Sequence, residues 1–155
     1  MTSPLDRPYP DFADAPFFEE TLELLRSVRD HDFETLAQRC DDDFGIVDIA
    51  PDGGNVAIRT REEWEGWFHS LFAQLDTMGA ATDSEVLDYQ ALQADGMGFS
   101  VLEFRQFLSI GDIVATFDCM TTIVWKRSGD RWLEARWHGS VLSSDVPPEL
   151  TAAAE

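Results

Sequence analysis

The chain has 155 residues, 44% of them hydrophobic, with five Trp and eleven Phe: enough for one self-sufficient core and short of two domains. Its 30 acidic residues outnumber 11 basic ones, ten Arg and the single Lys126, for a formal net charge of -19. A surface this negative repels phosphate backbones and anionic lipid, which excludes nucleic acid and membranes as expected partners.

The opening residues MTSPLDRPYPDFADAP show no basic region followed by an apolar run, and no stretch of 18 apolar residues occurs in the chain. A cytoplasmic location is expected. Residues 1–15, with Pro4, Pro8 and Pro10, read as an irregular arm. From Pro16, Phe18, Leu22, Leu25 and Val28 recur at helical spacing, followed by Phe33 and Leu36. That predicts one helix, a break near His31 and a short second helix. DDFGIVDIAP reads as a short strand, DGG as a turn and VAIR as a second short strand. Thr60, with Glu63 three residues on, is the capping-box signature of a helix start. The helix it opens carries Trp64, Trp67, Phe68, Leu71, Phe72 and Leu75 as one aromatic stripe suited to packing on a sheet.

Past Gly79 the pattern changes to four long strands, 82–94, 97–109, 112–127 and 130–143, separated by DG, IGD and SGD. Residues 144–155 read as a loose tail. Helices first and an antiparallel meander last predict an α+β domain over 16–143, with helices on one face of a curved sheet.

Alternate residues of a strand share a face. RWLEARWHGSVL, residues 131–142, therefore places Glu134, Arg136 and His138 in one polar row opposite Trp125 and Ile123. A three-residue, bulged turn around Gly111 would bring Glu103 and Arg105 to the same face; a two-residue turn at Gly111-Asp112 gives the opposite register. The bulged turn is the preferred reading, because the other face then collects Phe104, Met120, Leu133 and Trp137. An apolar face of that kind is expected to be covered by a second copy, making a homodimer.

The element order over residues 16–143, with the closing TTIVWKRSGDRWLEARWHGSVL, resembles the nuclear-transport-factor-2-like superfamily, including SnoaL-like and ketosteroid-isomerase-like proteins. The last hairpin is similar to that of the association domain of calcium/calmodulin-dependent kinase II in Trp125, the charged turn, Trp132, His138 and Ser140. The resemblance implies a cone of curved sheet closed by helices, usually dimeric, with a small-molecule pocket on the concave face into which Glu134, Arg136 and His138 point. Arg136 stands where the kinase domain has a second His, and Glu103 and Ile123 where it has Arg. The paired Asp with Tyr of a ketosteroid isomerase is absent, the only tyrosines being Tyr9 and Tyr89.

His138, which titrates nearest neutrality, is the expected proton carrier and Glu103 a second catalytic candidate. Trp67, Phe72, Asp88, Arg105, Glu134 and Arg136 are the expected ligand-binding side chains. Asp48 and Asp88 are the positions from which an acid/base carboxylate could enter the cone mouth. Cys40 and Cys119 lie far apart with no metal-ligand spacing, and His31 and His69 form no ligand triad; both thiols are expected reduced and buried, and neither metal nor cofactor is expected. Two functions stay open: a small-molecule-binding domain, as an enzyme an isomerase or lyase moving protons on an apolar carbonyl compound, and a non-catalytic association module.

Overall fold

The computed structural model describes residues 2–49 and 54–153. After a 3-10 turn at Pro4–Asp6 come α1 (Phe18–Arg29), α2 (Phe33–Arg39), β1 (Cys40–Ile49), β2 (Asn55–Ile58), α3 (Arg61–Met78), β3 (Ala80–Gln93), β4 (Met97–Ile110), β5 (Ile113–Ser128), β6 (Arg131–Asp145) and α4 (Pro148–Ala153). The order expected from the sequence is therefore present; the DGG turn at 52–54 lies mostly outside the described residues. None of the described helices is long and apolar enough to cross a membrane.

Local chemistry explains the helix ends. The Thr60 hydroxyl accepts from the Glu63 N–H at 3.1 Å, and the Glu63 carboxylate reaches back to accept from the Arg59 N–H at 2.9 Å. Gly79 ends α3 with φ 65°, in the left-handed region glycine enters without penalty. Between α1 and α2 the break falls at His31, also at positive φ, and Asp32 caps α2 by accepting from Thr35.

The six strands run β2-β1-β6-β5-β4-β3 in one open sheet. It is mixed rather than purely antiparallel, because β1 lies parallel to β6 while every other pair is antiparallel. Helices α1 and α3 cover the inner face, where Trp64, Phe68 and Phe72 pack with Phe17, Phe44, Ile46, Ile123 and Trp125. Trp125 is fully buried, stacked on Phe17 at 5.4 Å, with its indole N–H donating to the Ser100 hydroxyl. Gly98 has to be glycine: a Cβ there would stand 2.5 Å from the Phe17 ring and 2.6 Å from the Leu92 carbonyl oxygen.

The described residues near both ends form more structure than expected. Leu5 is completely buried, Tyr9 and Phe12 pack with Phe18 and Tyr89, and the Tyr9 hydroxyl bridges the Pro4 carbonyl and the Val86 N–H. Arg26 and Arg29 fasten the segment by donating to the Leu5 carbonyl and to Ser3 and Asp6. The arm is thus a piece of core, which its prolines did not signal. At the other end β6 continues to Asp145 and is followed by α4.

Register features of the sheet set which side chains share a face. The turn between β4 and β5 is the two-residue one, with Ile110 opposite Ile113 and Gly111 at φ 60°, so the preferred bulged turn is corrected. A bulge at Leu87 puts Val86 opposite Phe104 and Asp88 opposite Glu103. A second bulge, at Ala135, puts Glu134 opposite Trp125 but Arg136 opposite Val124. One inserted residue reverses the facing of everything after it. Glu134 therefore points inward with Trp137 and Gly139, while Arg136 and His138 point outward.

Candidate functional site

The polar row read from residues 131–142 is split across the sheet. Glu134 is 3% exposed on the inner face, and His138 is exposed on the outer face. Glu103 and Arg105 do share a face with Arg136 and His138, but it is the outer one. There Glu103 lies across from Asp88 and Met120, and Arg105 grips Asp118 through two hydrogen bonds of 2.7 and 3.0 Å. That pairing holds the Asp118 carboxyl below its ordinary range. Arg136 reaches out to the Asp43 carbonyl and carboxylate. Asp88 is exposed. Trp67 and Phe72, on α3, belong to the inner core: Trp67 is partly buried, and Phe72 is stacked on His31 at 4.9 Å. The expected pocket of Trp67, Phe72, Asp88, Glu103, Arg105, Glu134, Arg136 and His138 is thus not brought together, because the bulge at Ala135 and the tight turn at Gly111 send five of the eight outward.

The inner face carries a different polar group. Ile46 and Val47 of β1 run alongside Trp137 and His138 of β6, which sets Asp48 beside Gly139. The Trp137 indole N–H donates to Asp48 Oδ2 at 3.0 Å. Directly over Gly139, at the point a Cβ would occupy, Asp48 Oδ1 lies 3.0 Å away, and Thr121 Oγ1 and Trp137 Nε1 each lie 3.1 Å away. Three polar atoms converge where only glycine leaves them room. Apolar and thiol groups surround them: Phe104 edge-on to Trp137 at 6.4 Å, Ile123 opposite Trp137, and Cys119 two pairs further along the sheet than Thr121.

Glu134 completes the cluster on the core side. Burial pushes its carboxyl up to about 8; a hydrogen bond from the Cys40 thiol works the other way, and the charge of Asp48 adds to the rise. Glu134 is therefore mostly neutral near pH 7. Cys119 is pushed up to about 11 by burial and then by Asp48 and Asp118, so it too is uncharged. Two inner carboxyls in unlike surroundings, one half-buried under an indole N–H and one sealed in the core, are the arrangement that divides acid from base. Among the described residues no group of three or more His, Cys, Asp or Glu is placed to hold a metal ion.

Of this cluster, sequence reading singled out Asp48 and Glu134. It missed Thr121 and Gly139 and put Trp137 on the wrong side. The available signal was in β6 itself: Trp137, Gly139 and Val141 alternate with Arg136, His138 and Ser140, an apolar-in, polar-out strand once one residue before Arg136 is skipped.

A sequence model described as a SnoaL-like domain matches residues 21–144. The chain belongs to the SnoaL-like family. Solved structures share the domain's fold at low identity. A candidate scytalone dehydratase from Novosphingobium aromaticivorans superposes with a TM-score of 0.70 at 8% identity, covering 83% of each chain. ActVI-ORFA from Streptomyces coelicolor gives 0.64 at 16% identity, over 81% of this chain and 97% of its own. A candidate calcium/calmodulin-dependent protein kinase type II association domain from Thiobacillus denitrificans gives 0.61 at 17%, over 83% and 96%. No curated protein sequence matches this chain. At these identities the likeness is one of fold, nuclear-transport-factor-2-like; what the site does has to be argued from its own atoms.

Proposed function

We propose that the domain binds a small neutral carbonyl compound on the inner face and moves a proton on it, with Asp48 as general base. The observation that carries this reading is the convergence of Asp48, Thr121 and Trp137 over Gly139, beside a carboxyl held neutral. Asp48 Oδ1 takes a proton from the carbon next to the carbonyl; the enolate oxygen accepts from the Thr121 hydroxyl. Asp48 then returns the proton at another carbon, an isomerisation, or a hydroxyl leaves from the neighbouring carbon with that proton as water, a dehydration. Trp137 fixes the carboxylate and stabilises its charge. With Asp48 and Glu134 both on the inner face the site disfavours anionic ligands, and the rings of Trp137 and Phe104 favour flat apolar ones. A neighbour named as a dehydratase supports chemistry that begins with such a proton abstraction.

A panel of neutral aromatic and cyclic ketones tests this by proton NMR in D2O. One or more compounds are expected to exchange the proton next to the carbonyl only when protein is present, and to shift the Trp137 indole N–H signal. A panel that does neither defeats the reading in favour of association.

The association reading rests on the outer face. Leu92, Phe99 and Met120 are 61%, 42% and 39% exposed there, with Val47 at 40% beyond them. A second copy laid on this surface would cover them, and a neighbour named as an association domain has the same fold. The side chains first expected at that interface need correction: Phe104 and Trp137 belong to the inner face, and only Met120 and the half-buried Leu133 remain outside. Sedimentation at micromolar concentration is expected to show a dimer that Phe99→Asp weakens by about tenfold or more, through an unpaired charge at the centre of the contact. A wild-type monomer rules this interface out.

A further inference from the structure

Cys40 is the C-cap of α2 and the first residue of β1, and the parallel register sets it directly opposite Glu134. Both side chains point to the core. The thiol has one proton and two acceptors in reach, the Leu36 carbonyl at 3.3 Å and Glu134 Oε2 at 3.6 Å, long contacts because sulfur is large. The backbone around it is pinned: Arg61 donates to the Cys40 and Ala37 carbonyls while its guanidinium lies over the Trp64 ring at 4.9 Å. Cys40 is thus held still, and the torsion of its S–H is the freedom left to it.

We propose that Cys40 is a positioning residue for Glu134, turning its S–H toward the carboxylate when Glu134 is ionised and toward the Leu36 carbonyl when Glu134 is neutral. In the neutral state the Glu134 O–H donates to the sulfur, so both groups stay satisfied in either state and only protons move. A buried carboxyl with no such partner would be left with an unpaired charge whenever it ionised. The other charged groups around the pair are Asp48 from β1, Arg61 from α3 and Arg39 from α2, which donates to the Trp132 carbonyl and pairs with Glu23. None of the hydrogen bonds of Arg39 and Arg61 goes to Glu134 itself, which leaves the thiol as its local donor. The role matters for the function proposed above, since the charge on Glu134 sets the field at Asp48, but the test uses unliganded protein and no substrate.

The experiment follows the Glu134 carboxyl carbon by NMR in protein labelled at glutamate, its signal identified by its loss in Glu134→Gln. In Cys40→Ala, which removes the donor, the titration midpoint is expected to rise by about half a pH unit or more. In Cys40→Ser, which keeps an O–H, it is expected to stay at or below the wild-type value. Equal midpoints in all three proteins, or a rise in Cys40→Ser as large as in Cys40→Ala, overturns the proposal. Infrared spectroscopy gives an answer without either Cys40 variant, using protein that carries Cys119→Ala to remove the second thiol. The Cys40 S–H stretch is expected to move to lower frequency as Glu134 ionises, and a band unmoved across that midpoint overturns the proposal. Failure of carbonyl exchange by the wild type would defeat the proposed function and leave these results intact.

Discussion

Raising the pH from about 5 to about 9 is expected to lower the unfolding free energy by about 4 kcal/mol, and Glu134→Gln is expected to remove most of that fall. The ordinary glutamate value is 4.5, and burial raises Glu134 to about 8 in the folded state. Between those values the folded protein binds one more proton than the unfolded chain. The stability linked to that proton is complete below 4.5 and is lost as pH rises through 8. The other displaced groups work elsewhere on the scale. Asp30, paired with Arg29, and Asp118, paired with Arg105, are held low and act only in acid, in the opposite direction; the Cys119 thiol, at about 11, acts only in base. A glutamine at 134 keeps the shape and cannot ionise, so its urea midpoint should stay nearly level from pH 5 to pH 9. A level wild-type curve, or an equal slope in Glu134→Gln, would show that the carboxyl is not sealed as described.

The same residue shows where the sequence was legible and where it was not. Element order, the α1–α2 break, the Thr60 cap and the Asp95-Gly96 hairpin could all be read, because each leaves local marks: helical spacing, a capping side chain, a turn dipeptide. The facing of the sheet could not. Leu87 and Ala135 carry no glycine, proline or charge to announce a bulge, yet each reverses the side chains that follow it, on β6 as far as the next bulge at Leu142. Ala135 alone separates Glu134 from Arg136 and His138, turning one expected polar row into an inner carboxyl and an outer pair of bases. At Gly111 two turn lengths are equally compatible with IGD, and the bulged one is favoured only by its gathering of Phe104, Met120, Leu133 and Trp137 on one apolar face. Burial decides otherwise: the tight turn places Leu102, Phe104 and Tyr89 under the helices.

Asp48→Asn is expected to lower carbonyl proton exchange by roughly 10² to 10⁴, the range associated with a lost general base, while the protein remains folded. Asparagine preserves the volume, and its side-chain carbonyl can still accept from the Trp137 indole, so the convergence over Gly139 persists. What disappears is the basicity. His138→Gln serves as the comparison, since an exposed outer-face histidine is expected to change exchange less than twofold. Should His138→Gln abolish exchange and Asp48→Asn preserve it, the reacting group would be on the outer face and the inner cluster would be structural. The Asp48→Asn variant also carries a second signature that needs no substrate. The Asp48 charge contributes to the rise at Glu134, so removing it is expected to bring the Glu134 midpoint down from about 8 and to narrow the pH range over which stability falls. Both effects in one variant would mean that the two inner carboxyls act as a coupled pair; loss of exchange with an unmoved Glu134 midpoint would leave Asp48 as the base and remove Glu134 from the reaction.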